Sequence, residues 1–347
     1  MPLKSAIADL VGYRDLSLGQ AEEAMNVIMN GESSPAQIAS YLTALRMKGE
    51  TVDEITGSAR AMRSHVIGVD MGAFGLTSGE MLVDTCGTGG DGKHTFNIST
   101  AAAFVVAGHG VKVAKHGNRA ASSKCGSADV LMALGGNLDL SPSQVAHCIE
   151  EIGIGFLYAI NHHPAMRYAI EPRREIGQRT IFNVLGPLTN PAKATHQLIG
   201  VYDPELTEPM ARVLRALGSK AAFVVHGADG LDELSTTGIN RVSRLDDDGV
   251  RTFDLDSQEL GFKLAHLDDL LGDSPAENAQ ILRDILSGDD RGPRRDIVLL
   301  NAAAALALES GDFRQSIEMG RRSIDSGDAL RKLDAWIEMT NSYRNSR

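Results

Sequence analysis

The chain has 347 residues, 43% apolar and 23% charged, the composition of an ordinary globular protein, so disorder is not the default. Its formal net charge is −11, and no block of Lys and Arg supplies the electrostatic footprint that nucleic acid requires. The three cysteines, Cys86, Cys125 and Cys148, are odd in number and form no C-x-x-C pair, which argues against a disulfide framework and fits a reducing cytoplasm.

The N-terminus, Met1-Pro2-Leu3-Lys4-Ser5, runs into Asp9 and Arg14-Asp15 and is too polar for a signal-peptide core. Ala101 to Gly108 and Ile297 to Leu308, the longest apolar stretches, fall short of the roughly 18 to 20 residues of a membrane span or carry Asn and Gly. The first 67 residues read as helices only. From Ser17 to Asn30 the apolar positions Ala21, Ala24, Met25 and Ile28 keep a helical period. Ser34-Pro35 reads as an N-cap and a first-turn proline opening a helix to about Lys48, and Thr51 to Glu54 as a capping-box start for a third. Three short helices make a small bundle.

The pattern then changes. Met81 to Cys86 is a short apolar run ending in glycines, which predicts a buried strand. Helix (99 to 108), strand (Val111 to Lys115), helix (126 to 135), helix (141 to 153) and strand (Gly155 to Ala159) follow. Gln197 to Tyr202 and Ala221 to His226 read as strands around a helix from Pro204 to Leu217. A strand pair is expected over Arg241 to Leu255, and the last third is mainly helical. Such alternation predicts an α/β fold with a mostly parallel central sheet flanked by helices.

Gly87-Thr88-Gly89-Gly90-Asp91-Gly92 follows the first predicted strand and precedes a helix start at Ser99-Thr100. Four glycines in six residues let the backbone approach an anion and turn N–H groups toward it, and the helix adds its positive end. The spacing at 87, 89 and 92 matches G-x-G-x-x-G, but a dinucleotide site needs an acid after the next strand, where Lys115-His116-Gly117 stands. The loop also approaches G-x-x-x-x-G-K-[ST], but Lys93 is followed by His94, so the magnesium-binding hydroxyl is missing. A cation beside such a loop suits a phosphate.

Four ordered motifs resemble those of the anthranilate phosphoribosyltransferase family. Asp84 to Gly92 with Thr95-Phe96-Asn97-Ile98-Ser99-Thr100 is similar to the first, and Lys115-His116-Gly117-Asn118-Arg119 with Ser122-Ser123 and Gly126 to Leu131 to the second. His162 to Arg167, then Arg173-Arg174-Glu175 and Arg179 to Pro191, resembles the third, and Gly230-Leu231-Asp232-Glu233-Leu234-Ser235 the fourth. The likeness runs from Ser34-Pro35-Ala36-Gln37 to about Asn301-Ala302-Ala303. Cys125 stands where that family usually has Ser, and Met132 where it usually has Glu.

The resemblance implies a small helical domain (1–72, with 168–192 crossing back into it) and a large α/β domain (80–167 and 193–347), with the site in the cleft between them. It implies transfer of a phosphoribosyl group from 5-phosphoribosyl 1-pyrophosphate to anthranilate, with Mg²⁺ as cofactor, in a cytoplasmic homodimer. Donor contacts would come from Gly87, Thr88, Gly89, Gly90, Asp91, Thr95, Asn97, Ser99, Thr100, Lys115 and Ser127. Gly87, Asn118, His163, Arg173 and Gly186 would line the anthranilate pocket, with Arg173 on the carboxylate. Ser99, Asp232 and Glu233 would serve the metal; read alone, Asp232-Glu233 is a solvated acidic turn. No residue is expected to act as a general acid or base. Two rivals differ in what they require. A pyrimidine nucleoside phosphorylase of the same fold would need neither the acidic pair nor Arg173, and a non-catalytic nucleic-acid-binding relative would need a basic surface.

Overall fold

A computed structural model describes residues 2–72, 80–120 and 124–346 of the protein. The chain opens with four helices: α1 (Pro2–Val11), α2 (Leu18–Met29), α3 (Pro35–Lys48) and α4 (Val52–Ser64). Ser17, Ser34 and Thr51 each close a reciprocal capping box with the residue three positions on, which satisfies two orphan N–H groups at each start. Helix α1 corrects the expected three-helix bundle. It buries Leu3, Ala6 and Leu10, spaced three and four apart, but with Lys4, Ser5 and Asp9 interleaved over only ten residues that period does not stand out in the sequence.

Seven strands follow: β1 (Leu82–Gly87), β2 (Lys112–Gly117), β3 (Ile154–Tyr158), β4 (His196–Gly200), β5 (Ala221–His226), β6 (Ile239–Asp246) and β7 (Gly249–Asp256). They form one sheet in the order β3-β2-β1-β4-β5-β6-β7, with the first five parallel and β6–β7 an antiparallel hairpin on the edge. The intervening helices are α5 (Ile98–Gly108), α6 (Ser127–Ala133), α7 (Pro142–Ile152), the short α8 (Ala159–His162), α9 (Arg167–Ile176), the short α10 (Phe182–Leu185) and α11 (Thr207–Ala216). After the hairpin come α12 (Pro275–Ser287), α13 (Pro293–Leu306), α14 (Phe313–Asp325) and α15 (Asp328–Ser342). The mostly parallel sheet flanked by helices is therefore as predicted.

Side-chain alternation divides the strands between two cores. Leu198, Phe223 and Val225 join α5 and the C-terminal helices on one face. Ile199, Ala222 and Val224 join α11 and the N-terminal bundle on the other. Helix α9 packs on α3 and α2, and α10 on α4, so the segment after β3 lies against the bundle before the chain returns to β4. Strand order reverses direction between β1 and β4, and the crevice outside their carboxyl ends is where open α/β sheets bind ligands.

Candidate active site

A cavity of about 620 Å³ opens at those carboxyl ends. Its wall gathers every residue singled out in the sequence for donor, acceptor or metal contact, from Gly87 to Glu233. Ser122 and Ser123 of the second motif lie outside the described residues.

Beneath the loop sits Asp84, fully buried in β1. Its carboxylate accepts from the His116 backbone N–H at 3.1 Å and the Asn190 side chain at 2.8 Å, which ties β1, β2 and the segment after α10 together. Gly89, Gly90 and Gly92 have φ of 69°, 76° and 72°, a region that a Cβ makes costly. The Gly89 N–H donates to Asp232 Oδ2 at 2.6 Å, and a Cβ on Gly87 would lie 2.3 Å from the same oxygen, so the loop is seated directly on the acidic turn. Arg179 braces the loop from outside: its guanidinium donates to the Gly90 carbonyl and lies 3.9 Å from the Tyr202 ring centroid. The Tyr202 N–H in turn donates to Thr88 Oγ1 at 3.2 Å.

At the α5 start, the Ser99 N–H donates to Glu233 Oε1 at 3.1 Å. Lys115, nearly buried, donates to the Thr85 carbonyl at 2.5 Å and to Ser99 Oγ at 3.2 Å. Burial lowers the Lys115 pKa, while Asp84, Cys86 and Glu233 oppose that shift. Asp232 and Glu233 form a like-charge cluster with Asp91. Burial first, then Asp91 and Glu233, raises Asp232 well above the carboxylate range. Burial pushes Glu233 up to about 7 against the pull of Lys115. Among the described residues no group of three or more His, Cys, Asp or Glu side chains is arranged to enclose a metal ion. What the turn offers is two hard oxygen ligands whose repulsion a divalent cation would relieve, and Mg²⁺ takes its remaining positions from water and substrate phosphates. The donor set fits that ion.

A different set of groups lines the rest of the cavity. Arg173, on α9, places its guanidinium 5.1 Å from the Phe182 ring centroid and has no hydrogen-bond or carboxylate partner among the described residues. Burial lowers its pKa, the mark of a cation held away from water. His163 Nε2 lies 3.1 Å from His116 Nε2, so one ring donates and the other accepts. Burial, then the neighbouring His163, holds His116 well below its ordinary value, and burial followed by His162 brings His163 down to about 4. The nearby Gly186 backbone opposes part of the His116 shift.

Because His163 is neutral in the fold, the unfolded chain takes up its proton near pH 6.5 whereas the folded one resists until about 4. Stability from this group is therefore lost as pH falls through that window. Wild type should lose more Tm than His163→Gln between pH 7 and pH 4; parallel curves would place His163 in a wetter site.

Neither His116 nor Arg179 has a role legible in the sequence, although both stand inside the quoted motifs. Their signal is tertiary: a ring contact across 47 residues and a brace across 89. Of the two departures, the Cys125 thiol donates to Asn97 Oδ1 at 3.4 Å, and the Met132 sulfur accepts from the Arg119 guanidinium at 3.6 Å, where a glutamate would pair with it.

A helical bundle thus leads into an α/β sheet, and a glycine-rich loop, a buried lysine and an acidic turn meet at one cavity. Residues 4–66 match the family model "Glycosyl transferase family, helical bundle domain", and residues 79–330 match "Glycosyl transferase family, a/b domain". The anthranilate phosphoribosyltransferase of Moorella thermoacetica is 55% identical over 98% of this chain and 99% of its own length. The Thermus thermophilus enzyme superposes with a TM-score of 0.90 at 42% identity, covering 97% of this chain and 99% of that one. The Saccharomyces cerevisiae enzyme, solved in complex with PRPP and Mg, gives 0.89 at 32% identity over 98% of each chain. The chain belongs to the anthranilate phosphoribosyltransferase family.

Proposed function

We propose that the protein transfers the phosphoribosyl group of 5-phosphoribosyl 1-pyrophosphate to the amine of anthranilate, releasing pyrophosphate, as a step of tryptophan biosynthesis. The observation that carries this reading is one cavity with two unlike ends. One end has backbone donors, a lysine and a half-buried acidic pair suited to a metal-bound diphosphate. The other has an unpaired guanidinium against an aromatic ring, suited to an aromatic carboxylate.

Donor contacts are assigned to the loop Gly87 to Asp91, to Thr95, Asn97, Ser99 and Thr100 at the α5 start, and to Lys115 and Ser127. Asp232 and Glu233, with Ser99, would hold Mg²⁺, which supplies charge neutralisation to the diphosphate when bound. The anthranilate amine is uncharged at neutral pH and attacks the anomeric carbon as its bond to pyrophosphate breaks; the surplus amine proton passes to solvent. No side chain has to activate this nucleophile. Lys115 and the loop amides stabilise charge on the departing group, and Arg173, Asn118, His163, Gly87 and Gly186 orient the acceptor. The neutral histidine pair suits this role because it adds no charge to the cavity wall it shares with Arg173. The nucleoside phosphorylase alternative leaves both Arg173 and the acidic pair without a task.

The chain divides in this reading into a helical part, 1–72 with 168–192, and an α/β part, 80–167 with 193–347, so that Arg173 sits across the cleft from the donor loop. No helix among the described residues is long and apolar enough to cross a membrane, and all three cysteines are free and buried, which favours the cytoplasm. Val11, Tyr13 and Met47 on the bundle are more than 60% exposed, and the homodimer in this reading forms through the bundle. Light scattering should give twice the 37.0 kDa chain mass, and a monomer would remove the dimer from the proposal.

The reaction is tested by following anthranilate fluorescence with purified protein, the donor and Mg²⁺. A decay that needs every component and stops on adding EDTA is expected. A flat trace with folded protein would mean that the cavity serves another acceptor.

A further inference from the structure

Asn278 lies in α12, outside every motif that marks the site, and only 1% of it is exposed. A backbone ladder brings it to the cavity: the Phe96 N–H donates to the Leu270 carbonyl at 3.2 Å and the Gly272 N–H to the His94 carbonyl at 3.0 Å. Asn278 Oδ1 accepts from the Asp273 N–H at 3.0 Å, which leaves Nδ2 to donate to Asn97 Oδ1 at 3.1 Å. At the other end of this chain of bonds, Asn97 Nδ2 donates to the Cys125 carbonyl at 3.2 Å.

The two ends are backbone groups, and neither can reverse. Asp273 N–H is only a donor and the Cys125 carbonyl only an acceptor, so the two amides between them have one self-consistent orientation. Asn97 is the residue before α5, a position where asparagine ordinarily caps the helix through its own side chain, yet it makes no capping bond here. Its side chain is committed to the amide chain. One Nδ2 hydrogen remains uncommitted by that chain, on a residue that lines the cavity.

We propose that Asn278 is a positioning residue for phosphoribosyl transfer: through Asp273 N–H and Asn97 Oδ1 it fixes the Asn97 amide with its N–H edge, not its carbonyl, toward the phosphate oxygens of the donor. This rests on the reading of Asn97 as a donor contact. A flipped Asn97 would set a carbonyl lone pair against an anion, so the gain lies in excluding the wrong orientation as well as in securing the right one.

The test is steady-state kinetics on wild type, Asn97→Ala, Asn278→Ala and the double variant, with each substrate varied in turn at saturating Mg²⁺. Asn278→Ala should raise the KM for the donor roughly tenfold, the effect of losing about one well-placed hydrogen bond to an anion, and leave the KM for anthranilate essentially unchanged. The double variant should be no worse than Asn97→Ala alone, because Asn278 acts only through Asn97. Asn278→Asp keeps the side-chain size and the bond from Asp273 N–H but offers Asn97 an acceptor where a donor stood, so its donor KM should rise at least as far.

Multiplying effects in the double variant, or equal losses for both substrates, would overturn the inference. An unchanged donor KM in Asn278→Ala beside a raised one in Asn97→Ala would remove Asn278 alone. If Asn97→Ala itself leaves the donor KM unchanged, Asn97 is not a donor contact and both readings fall. Should Asn278→Ala not fold, an unchanged donor KM in Asn278→Asp is by itself decisive against it.

Discussion

Replacing Arg173 with alanine should raise the KM for anthranilate about 30- to 1000-fold and change that for the donor by no more than about threefold. The range corresponds to roughly 2–4 kcal/mol, the cost of leaving a buried carboxylate without its charged partner. The structure gives the reason for expecting such a split. The Arg173 guanidinium rests against Phe182, finds no anion among the described residues and has its pKa lowered by burial. It has already given up much of its hydration in the free protein, so little further desolvation opposes binding an anion there. Arg173→Lys should recover only part of the loss, because an ammonium supplies charge without the planar two-pronged geometry. Equal effects on both substrates would put Arg173 outside the acceptor pocket, and a normal anthranilate KM would remove the carboxylate assignment altogether.

How far the site could be read from sequence follows from which interactions are local. Capping boxes are written in four consecutive residues, so Ser17, Ser34 and Thr51 mark helix starts without tertiary help. A loop that needs left-handed backbone at three positions must spend glycines there, and Gly89, Gly90 and Gly92 are visible for that reason. The mutual placement of distant segments is not local. Nothing near Asp232 in the chain reveals that its carboxylate receives the Gly89 N–H, 143 residues away. By themselves Asp232 and Glu233 read as a solvated turn; they are half-buried because β1 and β4 close over them: a Cβ on Gly200 would meet the Asp232 backbone. Arg179 and Asn278 carry no signal in the sequence for the same reason. Arginine and asparagine are common residues, and only the fold shows what each one holds. Helix α1 is a different case, a local signal too short to rise above its polar neighbours.

Glu233→Gln should make the protein more stable and nearly inactive in the same preparation. Loss of turnover of roughly 100- to 1000-fold is expected at saturating Mg²⁺, the usual cost of removing one preorganised group that stabilises developing charge. The gain in stability follows from the sign of the pKa shift. Glu233 is an acid whose folded pKa is raised, from 4.5 to about 7, with burial as the leading cause. Between those values the folded state holds a proton that the unfolded state has released, so stability falls as pH rises through the window and the full cost is present above it. Glutamine keeps the shape and can still accept from the Ser99 N–H, but carries no charge to bury. In EDTA the variant should match wild type near pH 4.5, draw ahead between about 5 and 7, and stay ahead at pH 8 by up to about 3 kcal/mol, a few degrees in Tm for a chain of this size. Adding Mg²⁺ with the donor should then raise the Tm of wild type and leave the variant nearly unmoved. A variant that is both less stable and inactive would mean that Glu233 serves the fold through Ser99 and Lys115, and the metal would then have to be sought at Asp232 and Asp91 alone. Stability gained with activity lost is the combination that separates a ligand held under strain from a residue that merely completes the core.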